Sequence, residues 1–136
     1  MQKFFIKRTS TTPEINFSPD EKLFIISGIS SPEDVRALYY PVIEWVKNLV
    51  DEIIIGRYKM FSGLVPIRFQ IDLHYFNSSS AKFLFDILSE FKRLAPVSVP
   101  VIVEWSYEEE DTDMKDAGAD IALLVGMEFT FIPKSK

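Results

Sequence analysis

The segment from Ile67 to Leu94 changes its hydrophobic period once, abruptly, and that change constrains the fold more than any other feature of the chain. Ile67, Phe69, Ile71, Leu73 and Tyr75 alternate with Arg68, Gln70, Asp72 and His74, the two-residue repeat of a strand with one buried and one open face. From about Ser79, Phe83, Leu84, Ile87, Leu88, Phe91 and Leu94 recur at intervals of three and four, which is the stripe of an amphipathic helix. A strand feeding directly into a helix that returns to the same core is half of a strand-helix-strand unit.

Neighbouring segments repeat the theme. Val97, Val99, Val101, Val103, Trp105 and Tyr107 alternate along one side of a second strand, where Pro100 marks an unpaired stretch or a sheet edge. In "SSPED", Ser31 suits the N-cap, Pro32 the first helical position, and Glu33 with Asp34 the positive end of the dipole. The helix that follows carries Val35, Leu38, Val42, Trp45, Val46, Leu49 and Val50 on its stripe, and Pro41 predicts a kink near Tyr39 and Tyr40. "DTDMKDAGADIALLV" predicts a third helix and "MEFTFIP" a last strand. Before them all, extended segments at Phe4 to Arg8 and Ile15 to Phe17, a turn at "SPDEK" and a strand at Leu23 to Gly28 read as an N-terminal hairpin.

Clean alternation argues against a doubly wound sheet, whose strands are covered on both faces and read as continuous apolar runs. The fold class expected is α/β: a single two-layer domain over residues 1–136, with a mixed sheet of four to five strands, helices on one face, and right-handed crossovers. At 136 residues, 47% of them hydrophobic, the chain is long enough to bury a core without staples. The absence of cysteine removes thiol catalysis, thiolate metal sites and disulfides. Fifteen basic against twenty acidic residues, a net charge of −5, is the wrong sign for a phosphate-backbone partner, so no nucleic acid is expected. "MQKFFIKRTSTTPEINF" lacks the apolar run of a signal peptide and "IALLVGM" is too short to cross a bilayer. A cytoplasmic protein with no membrane partner is the expectation.

Three consecutive hydroxyls, Ser78, Ser79 and Ser80, follow Asn77 where the strand becomes a helix. Free N–H groups and the dipole make a helix start favourable for an anion, and a phosphate ester there would gain backbone hydrogen bonds. The plainer use of such residues is capping, which needs only one of them. A third reading is a small anionic-ligand-binding or catalytic domain that grips its ligand with the serine cluster.

"PVIEWV" from Pro41 to Val46, "YFNSSSAKFLFDIL", and "VEWSYEEEDTDMKDAGAD" from Val103 to Asp120 together resemble the SiaC-type family of bacterial regulatory phosphoproteins. The resemblance implies a STAS-like fold, akin to anti-sigma-factor antagonists. It also implies a non-enzymatic signalling role in a cyclic-di-GMP pathway. In the family's characterised system the hydroxyl residue after the Asn is phosphorylated by a kinase of histidine-kinase-like ATPase type. A PP2C-type phosphatase reverses this, and the unphosphorylated form binds and activates a diguanylate cyclase. Carried over, the modified residue is Ser78, with Ser79 its rival. The sequence has Ser where the best-known member has Thr, and the Asp-Ser-x-Gly setting of STAS domains is absent. Asn77, Ser79, Ser80, Lys82 and Phe85 are the expected partner-binding residues.

The other constellations suggest no catalytic residue, metal or cofactor. His74 and Ser78 could suggest a hydrolase pair, but no glycine-rich nucleophile turn accompanies them and His74 belongs to the outward set of its strand. The acidic run Glu108 to Asp113 lacks the spacing and central glycine of a calcium loop. It reads as a helix start capped by Asp111, or as a docking surface. Phe85 lies off the helix stripe, either exposed beside Lys82 and Ser78 as a partner anchor or packed under the loop from Gly56 to Pro66.

Overall fold

The computed structural model describes residues 1–135. Six strands and three α-helices follow in the order β1 (Phe4–Ile6), β2 (Glu14–Ser18), β3 (Leu23–Ser30), α1 (Val35–Ile54), β4 (Ile67–Phe76), α2 (Ser78–Lys92), β5 (Val101–Glu108), α3 (Thr112–Val125) and β6 (Phe129–Lys134). All strands form one sheet in sequence order, antiparallel from β1 to β3 and parallel from β3 to β6. The sheet is therefore mixed, as the alternation predicted, but has six strands instead of four to five. The extra width comes from the N-terminal segment, where β2 pairs onto β3 and β1 pairs onto β2 as the edge strand.

Each parallel step moves one strand further in the same direction. A right-handed crossover repeated that way drops every helix on the same face. That face is apolar: Ile15, Phe17, Phe24, Ile26, Phe69, Ile71, Val103 and Trp105 are buried beneath Val42, Val46 and Leu49 of α1 and Leu84, Leu88 and Phe91 of α2. Phe17 sits at the centre of an aromatic cluster, within 6.5 Å, ring centre to ring centre, of Phe4, Phe24, Trp45 and Phe69. The open face is polar. Across it Lys134 pairs with Asp72, and Arg68 with Glu104.

Several local expectations are corrected. Asp34, not Ser31, caps α1, its carboxylate accepting from the Ala37 N–H at 3.1 Å. Ser31 is held instead by its own N–H donating to Thr11 O. The helix runs through Pro41 from Val35 to Ile54, forgoing the hydrogen bond that proline cannot make. Val97 belongs to a 3-10 turn, Ala95–Val97, and Pro100 precedes β5, which lies inside the sheet between β4 and β6 and not at an edge. Ser98, with φ 59°, turns the chain into that strand. Tyr75 does not point inward but is 53% exposed. The cause is a bulge: Gly28 pairs with Leu73 and Ile29 with Tyr75, so His74 is skipped and the alternation slips by one residue. Phe76 takes the inward position, packing edge-on to Trp105 at 5.9 Å.

Gly118 lies where α3 crosses β5. A Cβ there would stand 2.5 Å from Trp105 Nε1, which is held by a hydrogen bond to Met114 O at 3.0 Å and cannot swing away freely. The helix-propensity gain of Gly118→Ala, about 1 kcal/mol, is outweighed by an overpacking cost of about 1–3 kcal/mol. Urea unfolding followed by tryptophan fluorescence should show net destabilisation; an unchanged midpoint contradicts this packing. At the other end of the molecule, the Tyr58 hydroxyl donates to Asp20, the main reason that the Asp20 carboxyl lies below its ordinary range, ahead of attraction to the N-terminal amine. Burial, then this carboxylate, push the Tyr58 hydroxyl up. A lowered carboxyl contributes stability above its ordinary pKa and loses it as pH falls, whereas a raised phenol contributes below about pH 10 and loses it as pH rises. In Tyr58→Phe, NMR titration of Asp20 should move up towards the ordinary carboxylate range; a titration left unchanged would assign the shift to the amine.

Candidate functional site

Asn77 is the residue between β4 and α2, and it is bound three ways. Its N–H donates to Ser30 O at 3.0 Å, its side-chain oxygen accepts from the Ser80 N–H at 2.9 Å, and its carbonyl accepts from the Ala81 N–H at 3.1 Å. That accounts for the third and fourth N–H groups of α2. The first two, on Ser78 and Ser79, find no partner among the described residues and face outward at the positive end of the helix.

A helix turns by about 100° per residue, so three consecutive serines cannot face the same way. Ser78 and Ser79 are exposed, whereas Ser80 is fully buried. The Ser80 hydroxyl donates to Ser30 O at 3.0 Å and accepts from the Ser30 hydroxyl at 2.8 Å. A hydroxyl has one proton, so with Ser30 donating to Ser80, the 2.6 Å contact between Ser30 Oγ and Tyr39 must have the tyrosine as donor. Burial pushes the Tyr39 hydroxyl up, and Ser30 and Ser80 only partly offset it, so it remains a proton donor. The chain runs Tyr39, Ser30, Ser80 and ends on the Ser30 carbonyl, tying the first turn of α2 to β3 and α1. Tyr39 also stacks on Phe83 at 5.6 Å with the rings 4° from parallel.

Beside the exposed serines the two helices leave an open groove of about 770 Å³, walled by Tyr40, Ile43 and Glu44 of α1 and Lys82, Phe85 and Asp86 of α2. A smaller hollow of about 240 Å³ continues from it to Ser79, with Arg36 and Lys82 on its rim. Phe85 is half-buried in the groove wall; the place under the loop from Gly56 to Pro66 is taken by Phe61, which contacts Phe24 and Tyr58. Lys82 is exposed, paired with Asp86 at 2.8 Å and lying over the Phe83 ring.

The structure thus brings Asn77, Ser78, Ser79, Lys82 and Phe85 onto one surface. It removes Ser80 from the expected contact residues, because its side chain is enclosed and its hydroxyl engaged inside. His74 is exposed and makes no hydrogen bond or ion pair with a described residue. Asp111 caps α3, accepting from the Met114 N–H at 3.0 Å, so the acidic run is a helix start as read. No three acidic or imidazole side chains among the described residues converge as metal ligands. Sequence reasoning missed Tyr39 and Tyr40. The intervals 39, 42, 46, 49, 53 carried the signal for Tyr39, but it was masked by the parallel stripe through Leu38 and Trp45.

Fold and site together define a small one-sided α/β module that presents two exposed hydroxyls at a helix start beside a largely apolar groove. The chain belongs to the SiaC family of regulatory phosphoproteins, whose family model matches residues 6–134. An uncharacterized protein of Pseudomonas aeruginosa is 27% identical over 111 residues, 82% of this chain and 80% of its own length. Apo-SiaC from the same organism superimposes with a TM-score of 0.78 over 97% of this chain and 99% of its own, at 23% identity. SiaC solved in complex with the diguanylate cyclase SiaD, which it activates, gives 0.78 over 98% and 99%, again at 23% identity. At that identity the superpositions establish the shared fold.

Ser30→Ala removes the middle of the buried hydroxyl chain and strands the protons or lone pairs on both sides, at a cost of about 1–3 kcal/mol. Tyr39→Phe removes only the outermost donor and leaves Ser30 bonded to Ser80. Chemical denaturation should therefore rank Ser30→Ala as the more damaging substitution, and the reverse order would refute the direction assigned to the chain.

Proposed function

We propose that this protein is a non-enzymatic signalling switch, controlled by reversible phosphorylation of Ser78, whose unmodified surface around Asn77, Ser78, Ser79, Lys82 and Phe85 docks on an effector protein. The observation that carries this reading is the division of labour among the three serines. Ser80 and Asn77 hold the helix start rigid from within, while Ser78 stands exposed at its first position with its own N–H free. A phosphoryl group there gains a hydrogen bond from a helix-start N–H and a favourable dipole, so it is added without unfolding α2. The energetic consequence falls on the complex. A dianion buried in a partner interface costs several kcal/mol unless cations meet it, and Lys82 is already committed to Asp86.

Ser78 is the better substrate of the exposed pair, because Ser79 sits in the hollow with Arg36 and Lys82 whereas Ser78 lies outside both that hollow and the groove. Kinase and phosphatase of the histidine-kinase-like ATPase and PP2C types fit a soluble switch read through a serine ester. The effector we infer is a diguanylate cyclase, on the ground that the related SiaC is crystallised with one as its activator. No described helix is long and apolar enough to cross a membrane, and we place the protein in the cytoplasm beside such an effector.

The test begins with intact-mass and fragment mass spectrometry of protein from its native host, with and without PP2C treatment; a phosphatase-sensitive +80 Da group mapped to Ser78 is the expected result. Pull-down of the host's diguanylate cyclases should then succeed with Ser78→Ala and weaken about tenfold or more with Ser78→Asp. Modification found only on Ser79 would move the switch by one residue. A serine cluster never phosphorylated across growth conditions would instead favour the anion-site reading.

A further inference from the structure

We propose that Tyr75, outside the groove where the effector docks, is the anchor by which the kinase recognises the surface around Ser78. That role rests on Ser78 being the modified residue. The bulge in β4 is what presents the ring. Gly28 pairs with Leu73 and Ile29 with Tyr75, so His74 is skipped and two neighbouring aromatic residues exchange places. Strict alternation would have buried Tyr75 and exposed Phe76. The bulge instead seats Phe76 against Trp105 and leaves Tyr75 53% exposed, with the likewise exposed His74 beside it. The backbone opposite is firmly set. Gly28 has φ 109°, a conformation in which other residues are strained, and Arg8 holds the adjoining Ser27 hydroxyl at 2.9 Å.

Each of the other four tyrosines is engaged by a neighbouring side chain. Tyr39 donates to Ser30 and Tyr58 to Asp20, Tyr40 lies edge-on to Phe83, and Lys115 stands over the Tyr107 ring. The Tyr75 side chain has no hydrogen bond, ring contact or cation contact among the described residues, and it is not packed on the core. It is also close to the acceptor. The chain from Tyr75 to Ser78 spans at most about 11 Å, whereas an enzyme footprint of about 600 Å², the small end for transient complexes, reaches about 14 Å from its centre. A kinase centred on Ser78 therefore covers Tyr75. In the transfer, Ser78 Oγ forms a bond to the γ-phosphorus of a nucleoside triphosphate, the bond from that phosphorus to the departing diphosphate breaks, and the hydroxyl proton passes to a base of the kinase. The kinase thus meets a neutral hydroxyl, one of many on the surface, and takes its selectivity from the surroundings. The phosphatase meets a dianion, which is itself a recognition feature. Tyrosine suits the first task, because its ring offers a large contact area with few rotatable angles to fix. The effector does not need it: the groove and the hollow are walled by residues of α1 and α2, and Tyr75 lines neither.

The assay incubates the full chain, treated with a PP2C phosphatase and separated from it, with ATP and a lysate of its native host. Fragment mass spectrometry reads the initial rate of phosphate gain at Ser78. Tyr75→Ala should lower that rate about tenfold or more, and Tyr75→Phe, which keeps the ring, should retain most of it. Both variants should capture the host's diguanylate cyclases as well as the unsubstituted protein does and keep its urea midpoint, since this side chain packs on nothing in the core. Phosphorylation of Tyr75→Ala at the unsubstituted rate overturns the proposal and leaves the switch at Ser78 standing. A loss of rate matched by weaker cyclase capture or by a lower urea midpoint also overturns it, because the defect then lies in the shared surface or the fold. Absence of phosphate from Ser78 of the unsubstituted protein overturns the switch and this proposal together.

Discussion

The handedness of the strand-helix-strand crossover, applied three times in one direction, is the constraint from which the rest of this structure follows. Had the chain reversed direction after β4, a helix would have fallen on the opposite face and both sides of the sheet would have needed apolar cover. Because β3, β4, β5 and β6 advance in order, the layer of helices is single, and the second face is left to Arg68, Asp72, Glu104 and Lys134. The antiparallel hairpin extends that layered arrangement without needing a helix of its own, since Phe4 and Phe17 reach Trp45 of α1.

The same arrangement decides where a functional surface can form. Helix α2 starts at the carboxyl end of β4, a central strand, so its first turn lies beside the end of β3 and the beginning of α1. Ser30 closes that corner twice over, with its carbonyl taking both the Asn77 N–H and the Ser80 hydroxyl and its own hydroxyl linking Ser80 to Tyr39. The switch proposed at Ser78 needs opposite properties at adjacent atoms, a backbone that does not yield and a hydroxyl that an enzyme can reach. Here they are supplied by neighbouring residues of one turn, Ser80 inside and Ser78 outside. Membership of the SiaC family gives that geometry a regulatory setting.

Much of this was legible in the chain. The change of period after Tyr75, the stripe of α2, the capping of α3 by Asp111 and the one-sided sheet were all read from spacing. The misreadings have a shared origin in local rules meeting a tertiary competitor. Ser31 had the composition of a cap, yet its backbone is pinned by its N–H bond to Thr11 O in the loop before β2, and Asp34, three residues on, caps the helix instead. Tyr75 had the parity of a buried residue until the bulge opposite Gly28 absorbed one residue. Val97 continued the valine alternation, but Ser98 and Pro100 broke the strand before it could pair.

What the sequence determined by itself was the set of apolar faces, because side-chain period is a local property carried by every few residues, and with it the number of layers and the position of the Asn-Ser-Ser-Ser turn between strand and helix. What only the tertiary structure decided was the use of each hydroxyl. Ser78, Ser79 and Ser80 are chemically identical in the sequence. They differ in the fold because Ser30, fifty residues earlier, stands at the end of the neighbouring strand to receive just one of them, and a hydrogen bond between residues so distant leaves no trace in the local pattern of either.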